Sequence, residues 1–156
     1  PDAAFVLAAS PAVASTKHAL AMLERLVAAC VPLAGVIVNR VHLWPVDEPT
    51  PDRVPSAGAD VESIAVLGSA LTKTGLDSGS AERAARAALE CADGYAAWVR
   101  ADAASTAELE RRVAGIGGFV RRVPELAGDV HDLEGLAGVS DRLFGPAATA
   151  RREEDR

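Results

Sequence analysis

The chain has 156 residues, enough for one domain with a sizeable core. Because 49% of the residues are apolar and only 4% are aromatic, we expect that core to be aliphatic. The net charge of −6 argues against a nucleic-acid partner, and no apolar run approaches the roughly 20 residues that span a bilayer. With no signal peptide evident at the start and no clustered metal ligands, we expect a metal-free cytoplasmic protein. Cys30 and Cys91 fall in helical patterns, which predicts small buried residues.

The first forty residues predict a strand, a helix and a second strand. The apolar run over residues 3–10 is typical of a strand buried on both faces of a parallel sheet. Apolar residues at helical spacing predict a helix over residues 15–30, with Ser15 or Thr16 as its N-terminal cap. Residues 33–40 predict the second strand, which completes a βαβ unit.

The middle of the chain is less regular. Residues 43–60 contain four prolines and predict a mobile surface loop, and residues 61–80 fit either a short helix or a strand, followed by a loop. Within them, "GSALTKTG" (68–75) resembles a phosphate-binding P-loop. It lacks the second glycine that the motif requires directly before the lysine, so we reject that interpretation.

Two helices are predicted next. Residues 80–102 carry an apolar stripe with Ser80 as the cap. Residues 105–113 open with Ser105 and Glu108, the spacing of a capping box, which predicts a separate helix.

The last part predicts a third strand over residues 118–126 and a helix over residues 132–144 capped by Asp132, with residues 146–156 as a flexible tail. Alternating strands and helices indicate an α/β fold with a mostly parallel sheet.

Candidate chemistry lies where the strands end, because open parallel sheets bind ligands at the carboxyl ends of their strands. Asn39 closes the second strand with a carboxamide, whose donor and acceptor pattern matches the N7 and N6 edge of adenine. Asparagine is also common in turns, so a purely structural role remains open at this residue.

The segment "VPELAGDVHDLEGL" (123–136) follows the third strand. Pro124 and Leu126 have the shape to pack on a purine ring, and Gly128 permits a close approach of the backbone. We expect Asp129 to assist in capping the following helix. His131 is a polar loop residue in this interpretation, since no nucleophile is recognisable near it.

Two blocks together resemble one known family. "AFVLAASPAVASTKHALAMLERLVAACVPLAGVIVNRVH" and "RRVPELAGDVHDLEGLAGVSDRL" are similar to the carboxyl-terminal half of the anion-transporting ATPases of bacterial type, which include the arsenite-pump and tail-anchored-protein-targeting ATPases. The resemblance implies a partial P-loop NTPase-like fold of the SIMIBI type that lacks the P-loop half. It would span residues 1–145, with 146–156 as a tail.

The resemblance also implies ligand and site residues. Asn39 would recognise adenine, and the segment after the third strand would surround the base and ribose of ATP or ADP, with Mg²⁺ held by residues outside this chain. The implied binding residues are Asn39, Arg40, Pro124, Glu125, Leu126, Gly128, Asp129, Val130 and His131.

The chain departs from the family in several places. Ala12 stands where members often have a glutamate, no CxxC pair follows Asn39, and the P-loop and switch motifs are absent. We therefore expect no ATP hydrolysis by this chain alone. Candidate partners are a P-loop-bearing chain or a second copy of this chain, and the alternative function is a non-catalytic relative that acts as a protein-interaction module.

Overall fold

The computed structural model describes residues 3–44, 60–126 and 128–145, and in these ranges it contains three strands and four helices. In chain order they are β1 (Phe5–Ala9), α1 (Val13–Ala28), β2 (Leu33–Val41), α2 (Val61–Lys73), α3 (Ser78–Gly115), β3 (Phe119–Pro124) and α4 (Leu133–Phe144).

The three strands form one parallel sheet in the order β1-β2-β3. The described chain is thus an α/β structure whose parallel sheet is flanked by helices, and the predicted β1–α1–β2 unit is present. Because all three strands run in the same direction, their carboxyl ends share one edge of the sheet.

One face of the sheet is buried, and the last part of α3, residues 102–115, lies over it. Val36 and Val38 of β2 have no exposed surface on this face. Arg122 of β3 lies opposite Val38 in register, and its guanidinium donates to both carboxylate oxygens of Glu110 on α3, at 2.9 and 2.5 Å. Residues opposite one another in a sheet point to the same side, so these contacts place the part of α3 around Glu110 over this face.

The other face is only partly covered. Arg121, opposite Ile37, donates to the carbonyl oxygen of Leu143 on α4 at 3.2 Å, so α4 lies over β3 on this side. Val6 and Ala8 of β1 belong to the same face by register and are exposed, Val6 by 45%. The expectation that β1 is buried on both faces is therefore wrong, although the strand itself is confirmed. β1 is an edge strand, and its Phe5 is 57% exposed.

The predicted cap of α1 is also wrong. The helix begins earlier, after Ala12, whose side chain cannot cap it. The Ser15 hydroxyl instead accepts a hydrogen bond from the backbone N–H of Ser10 at 2.9 Å, and Thr16 donates to the carbonyl of Val13 at 3.0 Å. The Ser15 hydroxyl therefore stabilises the turn between β1 and α1, and the Thr16 hydroxyl bonds within the first turn of the helix.

The middle of the chain is helical. Residues 61–73 form α2, so the rejected P-loop stretch lies mainly within a helix. The two predicted helices are one continuous helix, α3, which begins after Asp77. The Asp77 carboxylate accepts from the N–H of Ser80 at 3.0 Å, so Asp77 and not Ser80 provides the cap. Ser105 lies inside α3, and its predicted capping box is wrong.

The last two elements agree with the sequence. β3 follows the predicted strand, and Asp132 caps α4 by accepting from the N–H of Gly135 at 2.8 Å. Cys30 and Cys91, predicted to be buried, are exposed free thiols. Most of the predicted loop over residues 43–60, and the tail over residues 146–156, lie outside the described residues.

The chain divides into two compact units. One comprises Pro1–His42 with Asp102–Arg156, and the other comprises Leu43–Ala101. The sheet, α1, α4 and the predicted site residues belong to the first unit. The assignment of residues 1–145 to a single nucleotide-binding domain stays a prediction. None of the helices in the described ranges is long and apolar enough to cross a membrane.

Candidate functional site

The site begins where β2 and β3 end together. Asn39 lies opposite Val123 and Val41 lies opposite Pro124, so Arg40 forms a bulge between them. Arg40 has φ +63°, a left-handed conformation that is uncommon outside glycine. The Asn39 side-chain oxygen accepts from the N–H of Arg40 at 2.9 Å, and this contact stabilises the bulge and orients the carboxamide.

A cavity of about 500 Å³ opens at this bulge, within the size range of small-molecule sites. It combines the end of β2 with the segment after β3, although these are some eighty residues apart in the chain. The lining residues are Asn39, Arg40, Pro124, Glu125, Leu126, Gly128, Asp129 and Val130.

His131 is the one predicted site residue that does not line this cavity. Its side chain is 80% exposed, and its Nε2 atom lies 3.9 Å from a carboxylate oxygen of Asp129. Among the described residues, the structure thus brings all the other predicted binding residues to one opening and leaves His131 beside it.

Two of the lining residues, Arg40 and Glu125, form an ion pair. Both Nε and an Nη atom of Arg40 donate to the same oxygen of Glu125, at 3.2 and 2.7 Å. The hydrogen bond and the positive charge of Arg40 lower the pKa of Glu125, and the same contacts raise the pKa of Arg40. The pair connects the segment after β3 with the bulge in β2. Both side chains remain exposed to solvent.

The carboxamide of Asn39 retains hydrogen-bonding capacity. Its oxygen has a second lone pair, and the two donors of its nitrogen have no partner among the described residues. Pro124 and Leu126 are half-buried beside it and present apolar surface. This combination suits a flat heterocycle with a donor and an acceptor on one edge.

His42 joins the site to α3, and the sequence analysis missed it. Its backbone N–H and its Nδ1 atom both contact one carboxylate oxygen of Asp102, each at 2.8 Å. Its Nε2 atom lies 3.5 Å from the second carboxylate oxygen of Glu125. Asp102 lies sixty residues further along the chain. The signal that could have pointed to His42 was its position directly after the second strand.

A second cavity of about 390 Å³ shares four residues with the first and extends to the start of α4. It is lined by Leu126, Gly128, Asp129, Val130, Asp132, Glu134, Gly135, Gly138 and Arg142. No group of three or more histidine, cysteine or carboxylate side chains in the described parts of the chain could hold a metal ion.

A larger cavity, of about 590 Å³, lies between α2 and the start of α3 in the other unit. Small side chains such as Ala65 and Ser69 line much of it, and its charged groups, Glu82 and Arg86, lie 3.5 Å apart and face each other. We regard the cavity at the strand ends as the better candidate because it combines a free carboxamide with apolar walls at the ligand-binding edge of a parallel sheet.

No family model matches the chain, and no curated protein matches it significantly. The case for function therefore depends on the geometry at the ends of β2 and β3.

Proposed function

We propose that this chain supplies the base-binding part of an adenine-nucleotide site, as in an ATPase of the anion-transporting type. The observation that carries the proposal is that Asn39 lines one cavity with residues 124–126 and 128–130, at the carboxyl edge of a parallel sheet. The phosphates and Mg²⁺ of ATP would be held by residues outside this chain.

The orientation of the Asn39 carboxamide supports adenine as the base. Since its oxygen accepts from the N–H of Arg40, its nitrogen points its donors elsewhere and can serve the N7 acceptor of adenine. The second lone pair of the oxygen can accept from the N6 amino group. Guanine presents an acceptor, O6, in place of that amino group, so we expect GTP to compete less well than ATP.

Titration with ATP that carries a fluorescent label on its terminal phosphate tests the proposal. We expect Asn39→Ala to weaken binding by about tenfold or more, because two hydrogen bonds worth about 1 kcal/mol each are lost. Asn39→Asp is the matched variant: it keeps an acceptor for the N–H of Arg40 but loses the donor to adenine. It should therefore weaken binding while the bulge is retained.

The wild-type chain should be titrated alone and with a P-loop-bearing partner chain. If neither sample binds the labelled nucleotide, the proposal is wrong. Equal affinity of the wild type and Asn39→Asp would show that the carboxamide does not recognise the base.

A second candidate function, a protein-interaction module, is favoured by the surface of β1. Its outer edge is unpaired within the sheet, and the apolar side chains of Phe5 and Val6 are exposed. Such an edge is a template for strand addition by another chain. This function predicts association with a partner together with no response to nucleotide, which separates it from the first.

A further inference from the structure

We infer that the cavity at the ends of β2 and β3 recognises the uncharged nucleoside part of its ligand, and that phosphate groups weaken binding to this chain. The inference rests on the proposed function and specifies which part of the ligand this surface selects. It follows from the charged side chains that line this cavity and the adjoining cavity at the start of α4.

The cation that lines the first cavity is already paired. The Arg40 guanidinium uses two of its nitrogens on Glu125, at 3.2 and 2.7 Å. The other charged side chain in the lining is Asp129, whose carboxylate is 91% exposed. The balance of charge at this opening is therefore negative.

The adjoining cavity adds to the negative charge. Asp132 and Glu134 line it at the start of α4, and its Arg142 donates to the carbonyl of Gly138 at 2.9 Å. Together the two cavities are lined by four carboxylates and two guanidiniums, in a chain with a net charge of −6.

The helix N-terminus beside the cavities is not open to phosphate. Helix N-termini bind phosphate through free N–H groups and a favourable dipole. In α4 the Asp132 carboxylate already accepts from the N–H of Gly135 at 2.8 Å and places its own negative charge there. Carboxylates at this edge can accept from ribose hydroxyls, but they repel phosphate.

The expected effect is modest and depends on salt. Two unit charges about 10 Å apart in water change an affinity by about twofold. Summed over about four charges of a triphosphate facing one net negative charge, this predicts that ATP binds more weakly than adenosine, by roughly tenfold or more, at low ionic strength. Because salt screens repulsion, the affinity for ATP should rise with added salt, whereas a phosphate-binding site would lose affinity.

The experiment measures adenosine, AMP and ATP by isothermal titration calorimetry on the whole chain, with EDTA to remove Mg²⁺ and over a series of salt concentrations. We expect affinity to fall from adenosine to AMP to ATP at low salt, and the gap to close as salt is added. ATP binding that equals or exceeds adenosine binding at low salt overturns the inference but leaves the proposed function standing. If none of the three ligands binds the chain alone, the inference is wrong, and the titration with a P-loop-bearing partner chain then decides the proposed function separately.

A charge-reversal pair gives a second readout. Glu134→Lys should raise the ratio of ATP affinity to adenosine affinity by about two- to fourfold at low salt, because one repulsive charge becomes attractive. Glu90→Lys, at an exposed position of α3 that lines neither cavity, should leave the ratio unchanged. Equal ratios in the two variants would contradict the inference.

Discussion

Arg40 illustrates how a single residue can organise the edge of a sheet. Its left-handed backbone conformation costs free energy of order 1 kcal/mol or more, and the contacts of its N–H with Asn39 and of its guanidinium with Glu125 offset that cost. Arg40 therefore stabilises the backbone conformation of the site and also contributes to its charge.

The ion pair makes a pH prediction. Because Arg40 lowers the pKa of Glu125 in the folded state, the unfolded chain binds a proton more readily. The resulting stabilisation is present at neutral pH and is lost as the pH falls below the usual range of a glutamate. Arg40→Met should therefore lower the free energy of unfolding at pH 7, and this difference from the wild type should shrink towards pH 3.

Urea unfolding at a series of pH values measures this dependence. Arg83→Met is the control, since the Arg83 guanidinium donates to the neutral hydroxyl of Ser80. A deficit in Arg40→Met that stays constant from pH 7 to pH 3 would show that Glu125 titrates independently of Arg40.

Some residue-level features could be predicted from the sequence and others could not. Asp132 was identifiable as a cap because a cap acts on residues close by in the chain. The contact between His42 and Asp102 joins residues sixty positions apart, and only the tertiary structure brings them together. Local patterns carry no information on such a pairing.

At the scale of elements, α3 shows why a capping pattern can mislead. Ser105 and Glu108 have the spacing of a capping box, yet the helix continues through them. The Ser105 hydroxyl donates to the carbonyl of Pro11 at 2.5 Å, a tertiary contact that no local motif reveals. The helix ends at Gly115, two residues beyond the predicted end at residue 113, and Gly117 has φ +75°.

Packing between β2 and β3 depends on one glycine. A Cβ atom on Gly35 would lie 2.3 Å from the carbonyl oxygen of Phe119 and 2.6 Å from its ring. We expect Gly35→Ala to lower the free energy of unfolding by about 1–3 kcal/mol or more, because the 2.3 Å contact is with the backbone of the paired strand, so the Cβ can be accommodated only if β2 and β3 shift apart.

Gly94 provides the matched control for that substitution. It lies in the interior of α3, and a Cβ there would meet nothing within 4 Å. Gly94→Ala should raise stability by about 0.5–1 kcal/mol through helix propensity. Urea denaturation measures the free energy of unfolding of both variants. A Gly35→Ala protein as stable as the wild type would contradict the close approach of β2 and β3.

At the scale of the whole molecule, the sheet has apolar side chains on a face that the helices leave partly exposed. The sequence of β1 is apolar at every position, which led to the prediction of burial on both faces. The register of β1 against β2 instead leaves Val6 and Ala8 on the open face. Exposed apolar side chains also occur on α4, where Leu133 is 84% and Phe144 is 68% exposed. Large exposed apolar surfaces mark sites of association.

We therefore expect the chain to self-associate through the open side of β1 when no other partner is present. Sedimentation velocity over a wide range of protein concentrations should show a reversible increase in mass, and Val6→Lys should weaken it by about tenfold or more, since burial of a valine contributes about 1.5–3 kcal/mol. Val66→Lys, on the exposed side of α2, is the control because Val66 is 68% exposed outside the sheet. A wild-type chain that stays monomeric at every concentration, or a Val66→Lys variant as impaired as Val6→Lys, would show that the open face of β1 does not drive association.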